Sequence, residues 1–445
     1  MGGVSRAPNN EVIMKFSVAC NFDDALLEGL RPYPVYELFG KLTVDHFGGG
    51  RPSFYLPSVK ADRLKSYVEA CHRQNIAFNY LLNASTMGNL EFTRRGQKEF
   101  TRMIEWLDSM GVDSITVASL FFLKTIKMRC PRMKVRISSH SFTDTPRKIR
   151  FWADAGADYI VISEVGIYRE FKVLEAMRKA AGDAVELQLI VNNWCRQDCA
   201  IAGFHAAALN SASQKNSRGF PLDYCFIYCN YLRFTEPVNF LRANWIRPED
   251  LRYYEDIGYE NFKIVERNTP TRILLERVKA YHHRRYDGNL LDLLQNYAYP
   301  HEKFSEHEME FFSTWRLIKY FMKPAAVNLF KFIKVIKFGK TASIMYPLQG
   351  PNPVFIDNRK LDGFLESFRA NGCAARDCNE CLHCQRWTEK AVTIDPQWKS
   401  ALKEVFDELL GELHSGAFWE PYYKSAVGFT KKMSKKFLQR SAHCA

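Results

Sequence analysis

The chain has no apolar run of the roughly eighteen residues needed to cross a bilayer, and its first residues lack the apolar centre of a secretory leader. The sequence therefore predicts a cytosolic protein with no transmembrane segment. Met1-Gly2 opens like an acylation signal, but Arg6 stands where that signal requires Ser or Thr. The motif His-Glu-x-x-His is missing, as are a Ser-His-Asp pattern and a Cys-His pair in suggestive context, which leaves hydrolysis without a familiar engine. Core-forming material is not lacking. With 445 residues and 47% hydrophobic content, the chain can bury one large domain and a smaller appendage. Charge is unbalanced: 62 Lys plus Arg face 49 Asp plus Glu, a net +13. That excess favours polyanionic partners such as RNA or an anionic membrane surface without choosing between them.

From about Val12 to Arg285, short β-branched runs alternate with longer segments of helical period, the pattern of repeated βα units. Strands are predicted at Met14–Ala19, Val35–Phe39, Ile76–Leu82, Ser114–Ala118, Lys134–Ser138, Asp158–Ile162, Glu186–Val191 and Phe262–Val265. Helices are predicted at Val59–Gln74, Arg95–Met110, Arg147–Ala155, Ile167–Ala181 and Thr271–Arg285, and Gly111 and Gly156 fit helix C-caps. Eight units imply a (β/α)₈ TIM-like barrel of the α/β class, with a doubly wound sheet as the structural alternative. In such a barrel the active site lies where strands run out into the following loops. Among the polar residues at those ends, Glu37, His140 and Glu164 are the acid–base candidates, and Lys263 and Arg267 are the candidate holders of an anion.

Boundaries follow from where this rhythm holds. Residues 1–13 form an N-terminal extension, 14–290 the barrel with an insertion at 193–260 after strand seven, 291–350 a helical connector, and 351–445 a mostly helical cysteine-rich module with a basic tail. An insertion of that size on the catalytic side is functional more often than filler. In the connector, His301, Glu302, Glu306, His307 and Glu310 match no ligand spacing and read as a solvated helix face. Lys331, Lys334 and Lys337 mark a basic amphipathic helix suited to a membrane, a partner or the protein's own barrel. The tail interleaves Lys431, Lys432, Lys435, Lys436 and Arg440 with nearby Trp419, Tyr422 and Tyr423, a composition that suits phosphate contact and base stacking as well as ordinary solvation.

Eight of the 12 cysteines fall into two sets. Cys195 and Cys199 pair with Cys225 and Cys229, each pair separated by three residues. In a reducing compartment this spacing points to metal rather than disulfides, and the wide clasp favours a 4Fe-4S cluster over zinc. A radical S-adenosylmethionine enzyme would need a cysteine where Ala202 stands. Cys373, Cys378, Cys381 and Cys384 form a tighter set. The run from Cys378 to Cys384 has the spacing of the first three ligands of a bacterial ferredoxin site. Zinc is the alternative there, with His383 able to replace one thiolate. Four protein ligands close either centre, which suits electron transfer or structural support. Cys20, Cys71 and Cys130 read as small buried hydrophobes, and Cys444 lies in the tail.

Arg218-Gly219 leading into Cys225-Phe-Ile-Tyr-Cys229 resembles the signature of the collagenase-like peptidases, unassigned peptidase family thirty-two. Further landmarks fall in the same order. Ser138-Ser139-His140 sits where that family has Ser-Thr-Gln, Ser163-Glu164 where it has Arg-Glu, and Lys263-Ile264 with Arg267 where it has Lys-Ile-Glu-Gly-Arg. The chain departs from the pattern in its shorter Cys195–Cys199 spacing, in His140 for glutamine and in Val265-Glu266 for Glu-Gly. The likeness, over roughly residues 14–285, implies a barrel with a 4Fe-4S cluster on its catalytic face. Relatives of that family include oxygen-independent hydroxylases of transfer RNA, ribosomal RNA and the ubiquinone ring, taken to draw oxygen from prephenate. The leading expectation is an iron–sulfur oxidoreductase or oxygen-independent hydroxylase acting on RNA, a peptide or a small metabolite, served by an electron donor or partner protein. A metal-dependent peptidase and a zinc-stabilised binding scaffold are the alternatives.

Overall fold

Eight parallel strands close on themselves in sequence order, β1 at Lys15–Ala19, β2 at Val35–Gly40, β3 at Ala77–Leu82, β4 at Ser114–Val117, β5 at Lys134–Ile137, β6 at Tyr159–Val161, β7 at Glu186–Ile190 and β8 at Asn261–Ile264. Closure joins the ends of the series, with Phe16 opposite Phe262 and Val18 opposite Ile264. This computed structural model describes residues 14–51, 58–215, 223–294 and 351–420. The predicted connector helix and most of the basic tail therefore lie outside the described residues, as do the N-terminal extension, Arg218, Gly219 and Cys444.

Each predicted strand is present to within a residue or two. The five predicted helices are present as α2 (Ala61–His72), α3 (Arg94–Ser109), α5 (Pro146–Ala155), α6 (Phe171–Ala181) and α11 (Thr271–His283). Helix α3 shows why the period was legible. Thr93 caps its start by accepting from the Gly96 amide, and Phe100, Ile104 and Leu107 return to one buried face at helical spacing. Gly111 and Gly156 adopt φ of 78° and 100° after α3 and α5, the left-handed backbone that a glycine C-cap supplies. Two barrel helices gave no such signal. Helix α1 (Asp24–Leu30) is too short to display a period, and α4 (Leu120–Arg129) opens on Leu120-Phe121-Phe122-Leu123, which is apolar all round.

Inward-facing side chains of the barrel form two layers, because successive inward positions on a strand are two residues apart. The deeper layer is polar. Glu37 is 2% exposed and Arg136 fully buried. The Glu37 carboxylate pairs with the Arg136 guanidinium and accepts from Ser17 Oγ at 2.6 Å and Ser114 Oγ at 3.3 Å. Asn79 donates to Ser114 at 2.6 Å, and Gln188 donates to Asn261 at 2.7 Å. Two residues further along the same strands come Phe39, Leu81, Thr116, Ser138, Val161, Ile190 and Lys263, which line a cavity at the strands' C-terminal ends. A polar floor thus carries the pocket.

The segment between β7 and β8 folds into α7 (Ala202–Ser211), α8 (Tyr224–Thr235), α9 (Val238–Leu241) and α10 (Leu251–Glu255). Beyond the barrel lie β9 (Val354–Ile356), α12 (Glu366–Asn371), α13 (Cys378–Cys381), α14 (His383–Ala391), β10 (Val392–Ile394) and α15 (Pro396–Ser415), with β9 and β10 antiparallel. The module is fastened by buried polar contacts. Arg247 binds Asp250 at 2.7 Å and donates to the Asn358 carbonyl at 2.8 Å, while the Asn289 side chain donates to Val354 O and accepts from Ile356 N. Helix α15 packs on α8 through Phe234–Trp398 and Tyr231–Phe406 ring contacts.

Candidate active site at the barrel mouth

The cavity above the polar floor, of about 170 Å³, collects residues far apart in sequence. His140, Glu164, Lys263 and Arg267 line it, together with Cys195, Cys199, Cys225 and Cys229. Local structure explains how the thiols arrive there. Cys225 and Cys229 are four apart on α8 and so share one helix face. Asp223 starts that helix by accepting from the Phe226 amide at 2.9 Å. Cys195 follows β7 in a turn held by Asn193, whose side chain accepts from the Cys195 amide at 2.7 Å and donates to the Glu164 carbonyl at 2.7 Å. Asn192 ties the ends of β7 and β8 by exchanging two hydrogen bonds with Val265.

Glu37 occupies the floor rather than the cavity wall. Its oxygens are already engaged by Arg136, Ser17 and Ser114. The second cysteine set is also elsewhere. Cys373, Cys378, Cys381 and Cys384 lie at the start of the C-terminal module, with Cys378 exposed and the other three half-buried. Cys20 and Cys71 are buried in the core, as expected, whereas Cys130 is only partly so.

Several cavity residues escaped the sequence reading. Arg51 forms a 2.8 Å ion pair with Glu266 and follows Gly48, Gly49 and Gly50, all with positive φ. A Cβ on Gly50 would sit 2.5 Å from Arg267 Nη2, and one on Gly49 would sit 2.6 Å from the Asn83 backbone nitrogen, so the triple glycine lets backbone press against the mouth. That run was the signal available for Arg51. His205 pairs with Asp223 at 3.0 Å and also lines the cavity. Arg233 is fully buried, lies 4.2 Å from the Trp194 ring centre, and donates to the Trp194 carbonyl. Its Nε and Nη1 have no hydrogen-bond partner, and its charge acts on Cys195 and Cys199.

Burial and neighbouring charge set the protonation states. Burial, reinforced by Arg51, pushes His140 down to about 4, so the ring is neutral near pH 7. Asn210 donates to its Nδ1 at 3.0 Å, which leaves the proton on Nε2. Lys263 falls to about 7 through burial and the nearby Arg136 charge, and its Nζ stands 3.9 Å from the Phe39 ring centre. Burial and its neighbours bring Arg267 down to about 10, and its buried Nη2 has no hydrogen-bond partner. Burial raises Glu164 despite Arg51 nearby. The mouth is therefore a cationic cup with one carboxyl group inclined to hold its proton.

The thiols themselves are pushed up by burial, Cys225 to about 12 and Cys195 well above its usual range. Such groups become thiolates when a metal binds them. Among the described residues, no three His, Cys, Asp or Glu side chains are gathered tightly enough for one metal ion. A single zinc needs thiolates within roughly 3.8 Å of one another, given bonds of about 2.3 Å, whereas a cubane spreads them because each binds a different iron. Four cysteines around one cavity, with a buried arginine beside them carrying spare donors, fit the cluster as a donor set.

The sequence model of Peptidase family U32 matches residues 55–193, from the approach to α2 through β7. An uncharacterised protease of Methanocaldococcus jannaschii, MJ1657, is 25% identical over 349 residues, spanning 78% of this chain and 86% of that one. Among solved structures, the U32 peptidase Mk0906 aligns with a TM-score of 0.43 and 15% identity over 59% of this chain and 97% of its own. Phosphoribosyl anthranilate isomerase from Thermus thermophilus aligns with a TM-score of 0.34 and 11% identity over 61% and 98%. On the family match and the M. jannaschii relative, the chain resembles Peptidase family U32, the collagenase-like family to which its cysteine signature pointed.

Proposed function

We propose that the protein is an iron–sulfur oxidoreductase whose catalytic centre is the barrel mouth, with Cys195, Cys199, Cys225 and Cys229 as cluster ligands. The observation that carries this reading is the convergence of those four thiols and a cationic cup on one cavity. When bound, the cluster would supply single electrons beside the substrate. The chain's own residues do the rest. Arg267, with its unpaired Nη2, and protonated Lys263 attract an anionic group. Glu164, whose proton affinity burial raises, is the group placed to donate a proton beside the substrate space. Neutral His140 offers its Nε2–H as a hydrogen-bond donor. A cavity of about 170 Å³ takes a group the size of one base, one side chain or a small acid, well below the usual drug-sized pocket. The resemblance in sequence points within the redox class to oxygen-independent hydroxylation of RNA, a peptide or a small metabolite, and among these the cationic cup favours an anionic substrate.

A second reading, peptide hydrolysis, is supported by the family's name and by the description of the M. jannaschii relative as a protease. Anaerobic purification separates the two. The redox reading requires brown protein with about four irons bound at this site, and Cys225→Ser must remove that iron together with activity. Cleavage of peptides by colourless, iron-free protein without reductant would overturn it in favour of the hydrolase.

A further inference from the structure

The second cysteine set has a setting of its own. Cys378, Asn379, Glu380 and Leu382 are exposed, while Cys373 and Cys384 turn inward and pack against the core. Behind those two stands Arg169, 2% exposed, with its guanidinium 4.7–5.0 Å from the ring centres of Trp245, Phe364 and Phe368. Nη2 donates to the carbonyls of Leu241 and Ala243, but Nε and Nη1 have no partner. A buried cation with two idle N–H donors is costly unless something anionic is meant to meet it. The neighbouring Glu170 carboxylate accepts from the backbone amides of Cys373 and Ala374, so one dipeptide addresses the whole inner edge of the set. On the outer edge, Arg376 donates to Cys381 Sγ at 3.6 Å.

The same two chain segments also reach the first set. The loop holding Arg169 and Glu170 begins at Glu164, which lines the cavity beside Cys195, and Gln197 donates to its Gly166 carbonyl at 2.7 Å. The segment whose carbonyls receive Arg169 continues to Asn244, whose amide donates to the Cys195 carbonyl at 2.9 Å. A short path of hydrogen bonds and backbone therefore runs from the neighbourhood of Cys373 and Cys384, through Arg169 and residues 243–244, to Cys195. Each set has one buried arginine with unspent donors, Arg169 for one and Arg233 for the other. One set opens to solvent and the other encloses the substrate space.

We propose that Cys373, Cys378, Cys381 and Cys384 hold a second iron–sulfur cluster that receives electrons at the protein surface and passes them along the Arg169 seam to the cluster at the barrel mouth. Each transfer moves one electron, oxidising the outer centre and reducing the inner one by the same unit. The outer centre is restored by a one-electron protein donor of the ferredoxin or flavodoxin class. The relay rests on the redox reading of the mouth, but its outer site does not.

The test uses full-length protein, Cys225→Ser, and the double variant Cys378→Ser/Cys381→Ser, whose substitutions lie at the exposed edge. Wild type should carry about eight irons, and each variant should lose about half of them. In electron paramagnetic resonance of dithionite-reduced protein, the wild-type signal should be broadened by coupling between the two centres, and either variant should show a narrower spectrum of one centre. Reduced ferredoxin should reduce the mouth cluster in wild type but not in the double variant, whereas dithionite, which needs no docking site, should reduce it in both. Zinc at the outer site, unchanged iron in the double variant, or undiminished reduction of its mouth cluster by ferredoxin would each overturn the relay. About four irons in wild type, all kept in Cys225→Ser and all lost from the double variant, would instead remove the mouth cluster and with it the relay, while leaving the outer cluster standing.

Discussion

Replacing Arg136 with Met would leave the Glu37 carboxylate in the barrel floor with only Ser17 and Ser114 as partners. Both members of the ion pair are almost wholly inaccessible, so solvent cannot take over the role of the lost guanidinium. Removing one partner of a buried pair costs about 3–5 kcal/mol, most of it from the charge left behind. The barrel from Lys15 to Leu294 spans roughly 280 residues, and an unfolding entropy of about 2.1 cal/mol/K per residue gives about 0.6 kcal/mol/K. The melting temperature should then fall by about 5–8 °C, measured by differential scanning calorimetry of anaerobic protein. Adding Glu37→Leu removes the stranded charge and should recover most of the loss, since apolar replacements of buried pairs are often neutral. Glu37→Gln should keep turnover within a few-fold of wild type, because Glu37 lies below the cavity wall. A shift under about 2 °C for Arg136→Met would refute the energetic role of the pair. Loss of turnover in a normally stable Glu37→Gln protein would return Glu37 to the catalytic group.

Lys263 gives a pH signature with a definite sign. Its native value of about 7 lies below the ordinary 10.5, so between those values the unfolded chain holds a proton that the native protein has released, and stability should rise with pH across that window. Melting curves of wild type and Lys263→Met should converge as pH approaches 10.5, while inorganic phosphate should bind wild type more weakly as pH rises through 7. A constant difference between the curves would contradict this. His140 should show no titration between pH 5 and 8 in imidazole proton spectra, because burial holds it near 4. Gly50→Ala should displace Arg267, cost about 1–3 kcal/mol through its positive φ and the crowded guanidinium, and weaken anion binding more than it lowers iron content.

The eight strands were legible as short runs rich in β-branched and apolar residues, as Ser114-Ile-Thr-Val and Tyr159-Ile-Val are here, with the polar members turned into the barrel. Once a parallel barrel is inferred, strand ends must meet at one mouth, which is why His140, Glu164 and Arg267 could be placed from sequence. Glu37 shows the limit. Strand β2 continues to Gly40, so the period of two gives the cavity to Phe39 and leaves Glu37 one layer below. Arg51, His205 and Arg233 come from a long loop and from the insertion, where spacing along the chain says nothing about direction in space. Arg169 was equally hidden, since its significance lies in rings and carbonyls contributed by segments more than seventy residues away.

The two-storey interior separates what the cylinder needs from what its opening recognises. The strands that offer side chains to the chamber are anchored two residues earlier by an interlocking set of hydrogen-bonding groups, except β6, whose Tyr159 ring lies under the Arg136 guanidinium instead. Residues of the upper storey can therefore be exchanged for a different guest while the lower storey keeps the staves in register. A laboratory search for altered selectivity should begin at Leu81, Val161 and Ile190, and leave Asn79, Ser114 and Gln188 alone, together with Thr116, whose hydroxyl donates to Asn79 at 2.6 Å.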